Sequence, residues 1–157
     1  MNNTTMEHWQ RISKWPAGRW LFSKVVCFTT PYFSSIGPRF AELERFRSVV
    51  TLKKRRKVHN HLGTVHAIAV CNLAEAAAGV MTHASMPPNY RWIPKGMTVN
   101  YLLKCETDLT AVAVIDPPPA FDGPEDVPVK VEVTDTKGQV VSTAVITMYI
   151  TPRESKS

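Results

Sequence analysis

The sequence has few cysteines, and those it has lie far apart. Cys27, Cys71 and Cys105 are the only three, an odd number with no CxxC pair. Small secreted domains held by disulfides carry more cysteines, in even numbers and at closer spacings. The cysteine content therefore excludes a disulfide scaffold and favours a reducing compartment, so we expect a cytoplasmic protein.

Long apolar runs are also lacking. The first ten residues are polar and show no basic start followed by an apolar stretch, which is the mark of a signal peptide. No uninterrupted apolar run approaches the ~20 residues that a membrane-spanning helix needs. We therefore expect no targeting peptide and no transmembrane segment.

Acidic residues are fewer than basic ones. The sequence has 13 Asp and Glu against 19 Lys and Arg, which gives a formal net charge of +6. Such an excess favours anionic partners without choosing among nucleotide phosphates, nucleic acids and membrane surfaces. The densest basic run is Lys53–Lys57. Continued strand alternation would place Lys54 and Arg56 on one face of it. The run has no interleaved aromatic residues or recognition helix, so we expect no nucleic-acid partner.

The first 33 residues differ in composition from the rest and hold three of the four tryptophans. We predict two short helices there, Glu7–Lys14 and Arg19–Phe28, broken at Pro16-Ala17-Gly18. Residues 1–33 are interpreted as a helical extension packed on the main domain. A lid over a pocket and a membrane-surface anchor are the two alternatives. Residues 34–152 then form a single domain, and residues 153–157 form a tail.

Within the main domain the patterns predict strands, one long helix, and more strands. The helix is Thr64–Met81, capped by Thr64, rich in alanine and ended by Pro87-Pro88. This order predicts an α+β fold with an antiparallel sheet of five or six strands around one central helix. The predicted strands are Phe40–Phe46, Ser48–Lys53, Met97–Glu106, Thr110–Ile115, Val127–Thr134 and Val140–Ile150.

Glu75 is the residue that the helix pattern does not explain. The helix is apolar almost all round, which predicts burial on every face. An ionised carboxylate costs several kcal/mol in a dry core unless it is paired. Glu75 therefore either pairs with a strand cation, lies at an exposed edge, or belongs to a functional site.

The loop that enters the helix is a second candidate. It runs through Gly63, Thr64, Val65 and His66 to Ala67. The first backbone N–H groups of a helix lack intrahelical partners and lie at its positive end. They suit a carbonyl oxygen that is becoming an oxyanion.

Together these segments resemble a known motif. Asn60-His61-Leu62-Gly63-Thr64-Val65-His66-Ala67 followed by Leu73-Ala74-Glu75 is similar to the motif of hotdog-fold thioesterases of the phenylacetate-pathway and 4-hydroxybenzoyl-CoA types. It most resembles a thioesterase-like branch in which few activities are known. The resemblance spans about Arg39 to Thr151 and implies a hotdog fold and hydrolysis of an acyl-CoA.

The resemblance also implies roles for single residues. Glu75 falls on the catalytic carboxylate, as nucleophile or general base, and the Ala67 N–H falls on the donor to the thioester carbonyl. Asn60 falls on the polar residue that holds substrate or water. Gly63, His66 and Gly79 fall on positions around the substrate; the histidine at the His66 position mainly supports structure in the family, and Gly79 stands where the family often has Thr or Ser. The His-Gly-Gly of the motif is His66-Ala67-Ile68 here.

The same resemblance implies partners. It implies no metal, and no cofactor beyond the CoA of the substrate. Lys54 and Arg56 are candidates to contact the CoA phosphates, with a solvated strand end as the alternative. Ala67 and Glu75 are eight residues apart, or roughly 12 Å along a helix axis. One substrate cannot easily reach both, so we expect a homodimer with shared sites, possibly assembled as a dimer of dimers.

Three other functions fit parts of the pattern. A non-catalytic acyl-CoA or lipid binder is suggested by the departure from His-Gly-Gly. A dehydratase of the same fold would space its histidine and carboxylate differently. A basic RNA-binding protein would depend on Lys53–Lys57 and would show strongly salt-dependent binding.

Overall fold

A computed structural model describes residues 4–153, and the predictions that fall on residues 1–3 and 154–157 lie outside this range. The chain forms three α-helices, six strands and two short 3₁₀ turns within it. The helices are α1 (Thr4–Ile12), α2 (Gly18–Thr29) and α3 (Ala67–Ser85). The strands are β1 (Arg39–Glu44), β2 (Arg47–Leu52), β3 (Tyr90–Tyr101), β4 (Leu109–Val114), β5 (Glu125–Thr134) and β6 (Val140–Pro152).

The six strands form one antiparallel sheet in the order β1-β2-β4-β5-β6-β3. Alternation along β5 places its valines on the inner face, where Val129 is fully buried. The predicted turn at Asp135–Gly138 joins β5 to β6, and its Asp135 N–H donates to Gln139 O at 3.0 Å. The sheet wraps around α3, which confirms the predicted hotdog architecture.

The middle of α3 is the centre of the core. Leu73, Ala76 and Ala77 have no exposed surface. Alanine side chains let the strands approach the helix closely, and the Ser48 hydroxyl on β2 donates to Ala77 O at 2.9 Å. By length and composition α3 could also span a membrane, but 61% of its apolar window is buried inside this fold.

The central helix and the third strand differ from the prediction at both of their ends. The helix starts at Ala67 rather than Thr64, because Val65 N–H donates to Cys105 O and the backbone there pairs with His59. Its C-terminal end is Ser85 rather than Met81, since nothing interrupts it before Pro87. The third strand spans Tyr90–Tyr101 instead of Met97–Glu106, and it passes Pro94 through an irregularity in its pairing with β6.

The N-terminal helices pack on the sheet edge and on α3. Trp9 of α1 meets Phe22 of α2 edge to face at 5.0 Å, and Phe22 meets Phe40 of β1 at 5.6 Å. Ser23 accepts a hydrogen bond from the Phe40 N–H at 2.9 Å. Gly18 is buried at the joint between the two helices, where an added Cβ would overlap the carbonyl oxygen of Ile12. The extension is therefore built into the core.

Candidate active site

Glu75 lies half-buried at the middle of one face of α3. Ile68, Cys71 and Gly79 share this face, because they recur at intervals of three and four residues. The predicted burial of α3 on every face is wrong for part of this stripe, because Ile68 is 55% exposed and Cys71 and Glu75 are half-buried, whereas Gly79 is buried. The sheet does not fully cover the stripe at Glu75, and this gives Glu75 access to other molecules.

The carboxylate of Glu75 has no partner within the described chain. The two ion pairs among residues 4–153 are Arg47–Glu42 and Lys95–Asp126. No hydrogen bond to the Glu75 side chain occurs in the same range of residues. Pairing with a strand cation, one of the ordinary explanations for a helix glutamate, is thus wrong for this residue.

A cavity of about 640 Å³ lies against Glu75. This volume is within the range of roughly 300–1,000 Å³ that is typical of small-molecule sites. Among the residues of its wall that the structure describes, Glu75 is the only carboxylate or permanently charged side chain. The wall residues are Thr5, His8, Ile12, Phe22, Val25, Val26, Thr29, Thr30, Phe33, Glu75, Gly79, Val80, His83 and Trp92.

The N-terminal extension supplies much of this wall. Both α1 and α2 contribute side chains, and α3 and Trp92 of β3 close the other side. A lid over a pocket, one of the two alternatives for residues 1–33, would occupy this position. Sequence reasoning missed Trp92, Phe33 and Val25 as cavity residues, because no spacing rule relates α2 to β3.

His83 lies on the same wall, two turns after Glu75. Burial lowers the pKa of its imidazole below 6.5, and the positive charge of Arg153 lowers it further. The neutral form of His83 is therefore favoured near neutral pH.

Gly79 and Trp92 meet closely within the cavity wall. A Cβ built on Gly79 would lie 3.0 Å from the Trp92 Cη2 atom. The absence of a side chain at this position lets the indole pack against the helix. Gly79 therefore shapes the cavity, whereas its predicted contact with substrate is untested.

The start of α3 is the second part of the predicted site. His66 is the N-cap, and its Nδ1 accepts from the Ile68 N–H at 3.1 Å. Among residues 4–153, the Ala67 N–H has no hydrogen-bond acceptor. This leaves one donor of the first turn available to a ligand.

The loop before the helix is held by Asn60. The Asn60 Oδ1 atom accepts from the N–H groups of Leu62 and Thr64, and its Nδ2 donates to Thr64 Oγ1 at 2.8 Å. Gly63 has a φ of 75°, in the region that favours glycine. These contacts give Asn60 a role in shaping the loop, and its predicted contact with substrate or water is a separate, untested role.

The basic run does not continue β2. The strand ends at Leu52, and Arg56 begins a short 3₁₀ turn, Arg56–Val58. The alternation predicted to pair Lys54 with Arg56 on one face is therefore wrong. Arg55 and Lys57 instead donate to the carbonyls of Ile36 and Ser34, at 3.0 and 3.2 Å, and fix the loop that follows α2.

Glu75 and the helix start do not meet within one chain. A separate cleft of about 210 Å³ lies by the start of α3 and is lined by His66, Ile68 and Asn72 among others. Eight residues of helix separate Ala67 from Glu75, roughly 12 Å along the axis. The two predicted groups are therefore not assembled into one site by a single chain.

Cys71 and Tyr101 form a polar contact, and Cys71 lies on α3 between Ala67 and Glu75. The Cys71 thiol and the Tyr101 hydroxyl are 2.9 Å apart. This hydrogen bond is the largest cause that raises the pKa of Tyr101 to about 12. Tyr101 is exposed at the end of β3, so the contact lies on the open face of α3.

Metal ligands do not cluster in the part of the chain that the structure describes. Over residues 4–153, no group of three or more His, Cys, Asp or Glu side chains is close enough to hold an ion. The site described above is thus one carboxylate, an apolar cavity and a free helix N–H.

Most of the chain matches one known protein family. Residues 18–150 match the family described as Domain of unknown function (DUF4442). The chain belongs to that family. The matched range begins with α2, so the family includes the second wall helix as well as the sheet and α3. No curated protein matches this chain in sequence.

Solved structures show the same fold. A structural-genomics crystal structure, APC5556, is 44% identical, with a TM-score of 0.79 over 96% of this chain and 97% of that chain. A probable thioesterase of unknown function, PA5026 from Pseudomonas aeruginosa, is 20% identical, with a TM-score of 0.74 over 82% and 92%. The thioesterase SAV0944 from Staphylococcus aureus is 17% identical, with a TM-score of 0.70 over 78% and 99%.

Proposed function

We propose that this protein hydrolyses acyl-CoA thioesters to the free acid and CoA. The observation that carries the proposal is the unpartnered Glu75 carboxylate on the wall of an otherwise apolar cavity. An apolar cavity suits an acyl chain, and a lone carboxylate at its edge suits the activation of water beside the thioester.

In the reaction, Glu75 takes a proton from water while the water oxygen bonds to the thioester carbon. The C–S bond then breaks, and the thiolate of CoA takes up a proton. If Glu75 attacks directly instead, a transient anhydride forms and water opens it. Both routes need the carboxylate ionised, and a helix N–H to hold the oxyanion.

The oxyanion donor in this proposal is the Ala67 N–H of a second chain. Two α3 helices that run antiparallel across a two-fold axis bring Glu75 of one protomer near Ala67 of the other. The open face of α3 supports this assembly, because Ile68 and Tyr101 are exposed there. The β3 strand is also at the sheet edge, with exposed apolar side chains at Ile93 and Met97.

A neighbouring structure supports the choice of residues. Two variants of the Staphylococcus aureus protein carry alanine in place of a glutamine and of a glutamate, fifteen residues apart. Asn60 and Glu75 are also fifteen residues apart in this chain. The spacing matches the motif on which the proposed site is based, with an asparagine amide in place of a glutamine amide.

The test is Glu75→Gln, which keeps the shape of the side chain and removes its charge. We expect release of free thiol to fall by at least about a hundredfold, while the variant still binds acyl-CoA. Glu132→Gln is the matched control, because Glu132 is exposed on β5 away from the cavity. Retention of near-parental hydrolysis by Glu75→Gln, across acyl-CoAs from short to long chains, would overturn the proposal.

A second candidate is a non-catalytic acyl-CoA or lipid binder on the same scaffold. The exposed Ile68 side chain favours it, since it stands beside the Ala67 N–H where the motif has glycine. Tight binding of acyl-CoA by the parent protein, with no thiol released at any chain length, would support this function over hydrolysis.

A further inference from the structure

The outer face of α2 is apolar, although it is exposed to solvent. Trp20, Leu21, Val25 and Phe28 all point outward, and the Phe28 side chain is 86% exposed. At 3.6 residues per turn these four and Lys24 fall within an arc of about 140°. The opposite face of α2, with Phe22 and Val26, is buried against the domain.

A surface helix of a globular domain normally turns polar residues to solvent. Here only one residue of the exposed arc is charged. Trp15, in the turn before α2, is a further aromatic residue open to solvent and is 71% exposed. Contiguous exposed apolar surface of this kind marks a place where another body docks.

The chain segment that contains α2 carries charge of one sign. From His8 to Ala41 the sequence contains no acidic residue, and its cations are Arg11, Lys14, Arg19, Lys24 and Arg39. The Lys24 ammonium lies 5.6 Å from the centre of the Trp20 ring, so cation and aromatic ring share one patch. A partner for this face must therefore be apolar and anionic at once.

A small cationic cleft opens beside the apolar face. It measures about 100 Å³ and is lined by Trp20, Ser23, Lys24, Cys27, Gly37, Pro38, Arg39 and Arg55. Three of these side chains are cations and none is acidic. Arg55 is held in place by its hydrogen bond to Ile36 O at 3.0 Å. The cleft has the charge and size to take a phosphate group.

We infer that α2 docks this protein on an anionic phospholipid surface. The apolar side chains of α2 enter the interface, and Lys24, Arg39 and Arg55 contact lipid phosphates. A second copy of this chain fits the face less well, since it would bring the same cations against each other with no carboxylate between them. The expected partner of this face is therefore a lipid membrane.

The docking face is continuous with the cavity beside Glu75. Val25 is half-exposed on the outer face of α2 and also lines the cavity wall, as does Thr29. Docking would hold this wall at the level of the lipid chains, where acyl-CoA molecules partition by their tails. This last step rests on the proposed thioesterase function, whereas docking itself does not.

Sedimentation with vesicles tests the docking. The Glu75→Gln protein is mixed with vesicles of phosphatidylcholine alone, or of phosphatidylcholine with phosphatidylglycerol. We expect binding to the second kind only, weakened by salt. Phe28→Glu should reduce binding at least about tenfold, and Lys24→Gln roughly fivefold. Leu62→Glu is the matched control, since Leu62 is also an exposed apolar residue, at 62%, and lies on the loop before α3.

Tryptophan quenching by brominated phosphatidylglycerol vesicles gives the orientation. Trp15 and Trp20 should be quenched, whereas Trp9, which is buried, and Trp92 should not. Single-tryptophan variants, with phenylalanine at the other positions, assign the signal.

Three results would overturn the inference. The first is equal binding to both kinds of vesicle, or to neither. The second is unchanged binding by Phe28→Glu in a variant whose circular dichroism matches the parent. The third is self-association through α2, seen as a larger mass in ultracentrifugation that Phe28→Glu abolishes. None of these three measurements depends on hydrolysis, because they are made with the Glu75→Gln protein. Failure of membrane docking and failure of the thioesterase proposal can therefore be told apart.

Discussion

The two halves of the α3 stripe meet different surroundings. Around Gly79 and His83 the helix is covered by α1 and α2, with a cavity between these helices and α3. Around Ile68 the helix is more open, because Ile68 is 55% exposed and the half-buried Cys71 contacts the exposed Tyr101 of β3. A single chain therefore encloses the cavity by itself, whereas the start of its α3 stays open, as the proposed shared site requires. Glu75 lies where the two halves meet.

Removing the donor on the open half should have the largest effect. Ala67→Pro deletes the one N–H that the proposal needs. Proline is well tolerated at the first position of a helix, and His66 already has the extended ψ of 138° that a following proline requires. We expect kcat to fall about 10²–10³-fold, with the melting temperature unchanged.

Ile68→Pro serves as the contrast, because it deletes the neighbouring N–H that is already bonded to His66 Nδ1. Its main expected effect is on the cap of α3 and thus on stability. Equal kcat in Ala67→Pro and the parent would assign the oxyanion to some other donor.

Mixed dimers test whether the two halves come from different chains. A dimer of one Glu75→Gln chain and one Ala67→Pro chain keeps one intact site if the site is shared. Purified through two different tags, it should recover about half of the parental activity. An inactive mixed dimer would mean that each chain supplies its own carboxylate and donor, which would contradict the shared site.

On the covered half, we expect a smaller change in selectivity. Gly79→Ala places a methyl group 3.0 Å from the Trp92 ring and must move it within the cavity. The ratio of kcat/KM for long against short acyl-CoAs should shift about fivefold to tenfold. Gly123→Ala has nothing within 4 Å of the added methyl group and should leave the ratio unchanged. A constant ratio in Gly79→Ala would argue that the acyl chain does not enter this cavity.

The smallest effect concerns pH and stability. The pKa of His83 is lowered below 6.5 in the folded chain, so the unfolded state binds the proton more readily. Stability from this group is therefore present above pH 6.5 and is lost as the pH falls below that value. His83→Gln should flatten the fall in urea-unfolding free energy below pH 6.5. If the unfolding free energy of His83→Gln falls with pH as steeply as that of the parent, groups other than His83 control this loss of stability.

The fold was largely predictable, because each element carries its own local signal. Alternating valines predict β5, the alanine-rich run predicts α3, and Asp135–Gly138 predicts a hairpin turn. The start of α3 was less predictable. Thr64 is a good cap in isolation, but its hydroxyl is taken by Asn60 and the next N–H by Cys105. Distant partners therefore decided where the helix begins.

The site was predictable only in part. A glutamate within an apolar helix marks an anomaly that sequence alone can detect, and no side chain of residues 4–153 pairs with that carboxylate. The cavity was not predictable, because it depends on how α1 and α2 sit against Trp92. Likewise, the path of the basic run depended on the Ile36 and Ser34 carbonyls, which turn Arg55 and Lys57 away from a strand.

Gly18, which is buried at the joint of α1 and α2, fixes how closely the two helices approach and thereby shapes the cavity. A side chain at Gly18 would collide with the backbone of Ile12, and relief of the collision would swing α1 outward. Because α1 and α2 both line the cavity, its shape would then change. Under the proposed function, Gly18 would thus affect which acyl lengths fit, although it does not line the cavity itself.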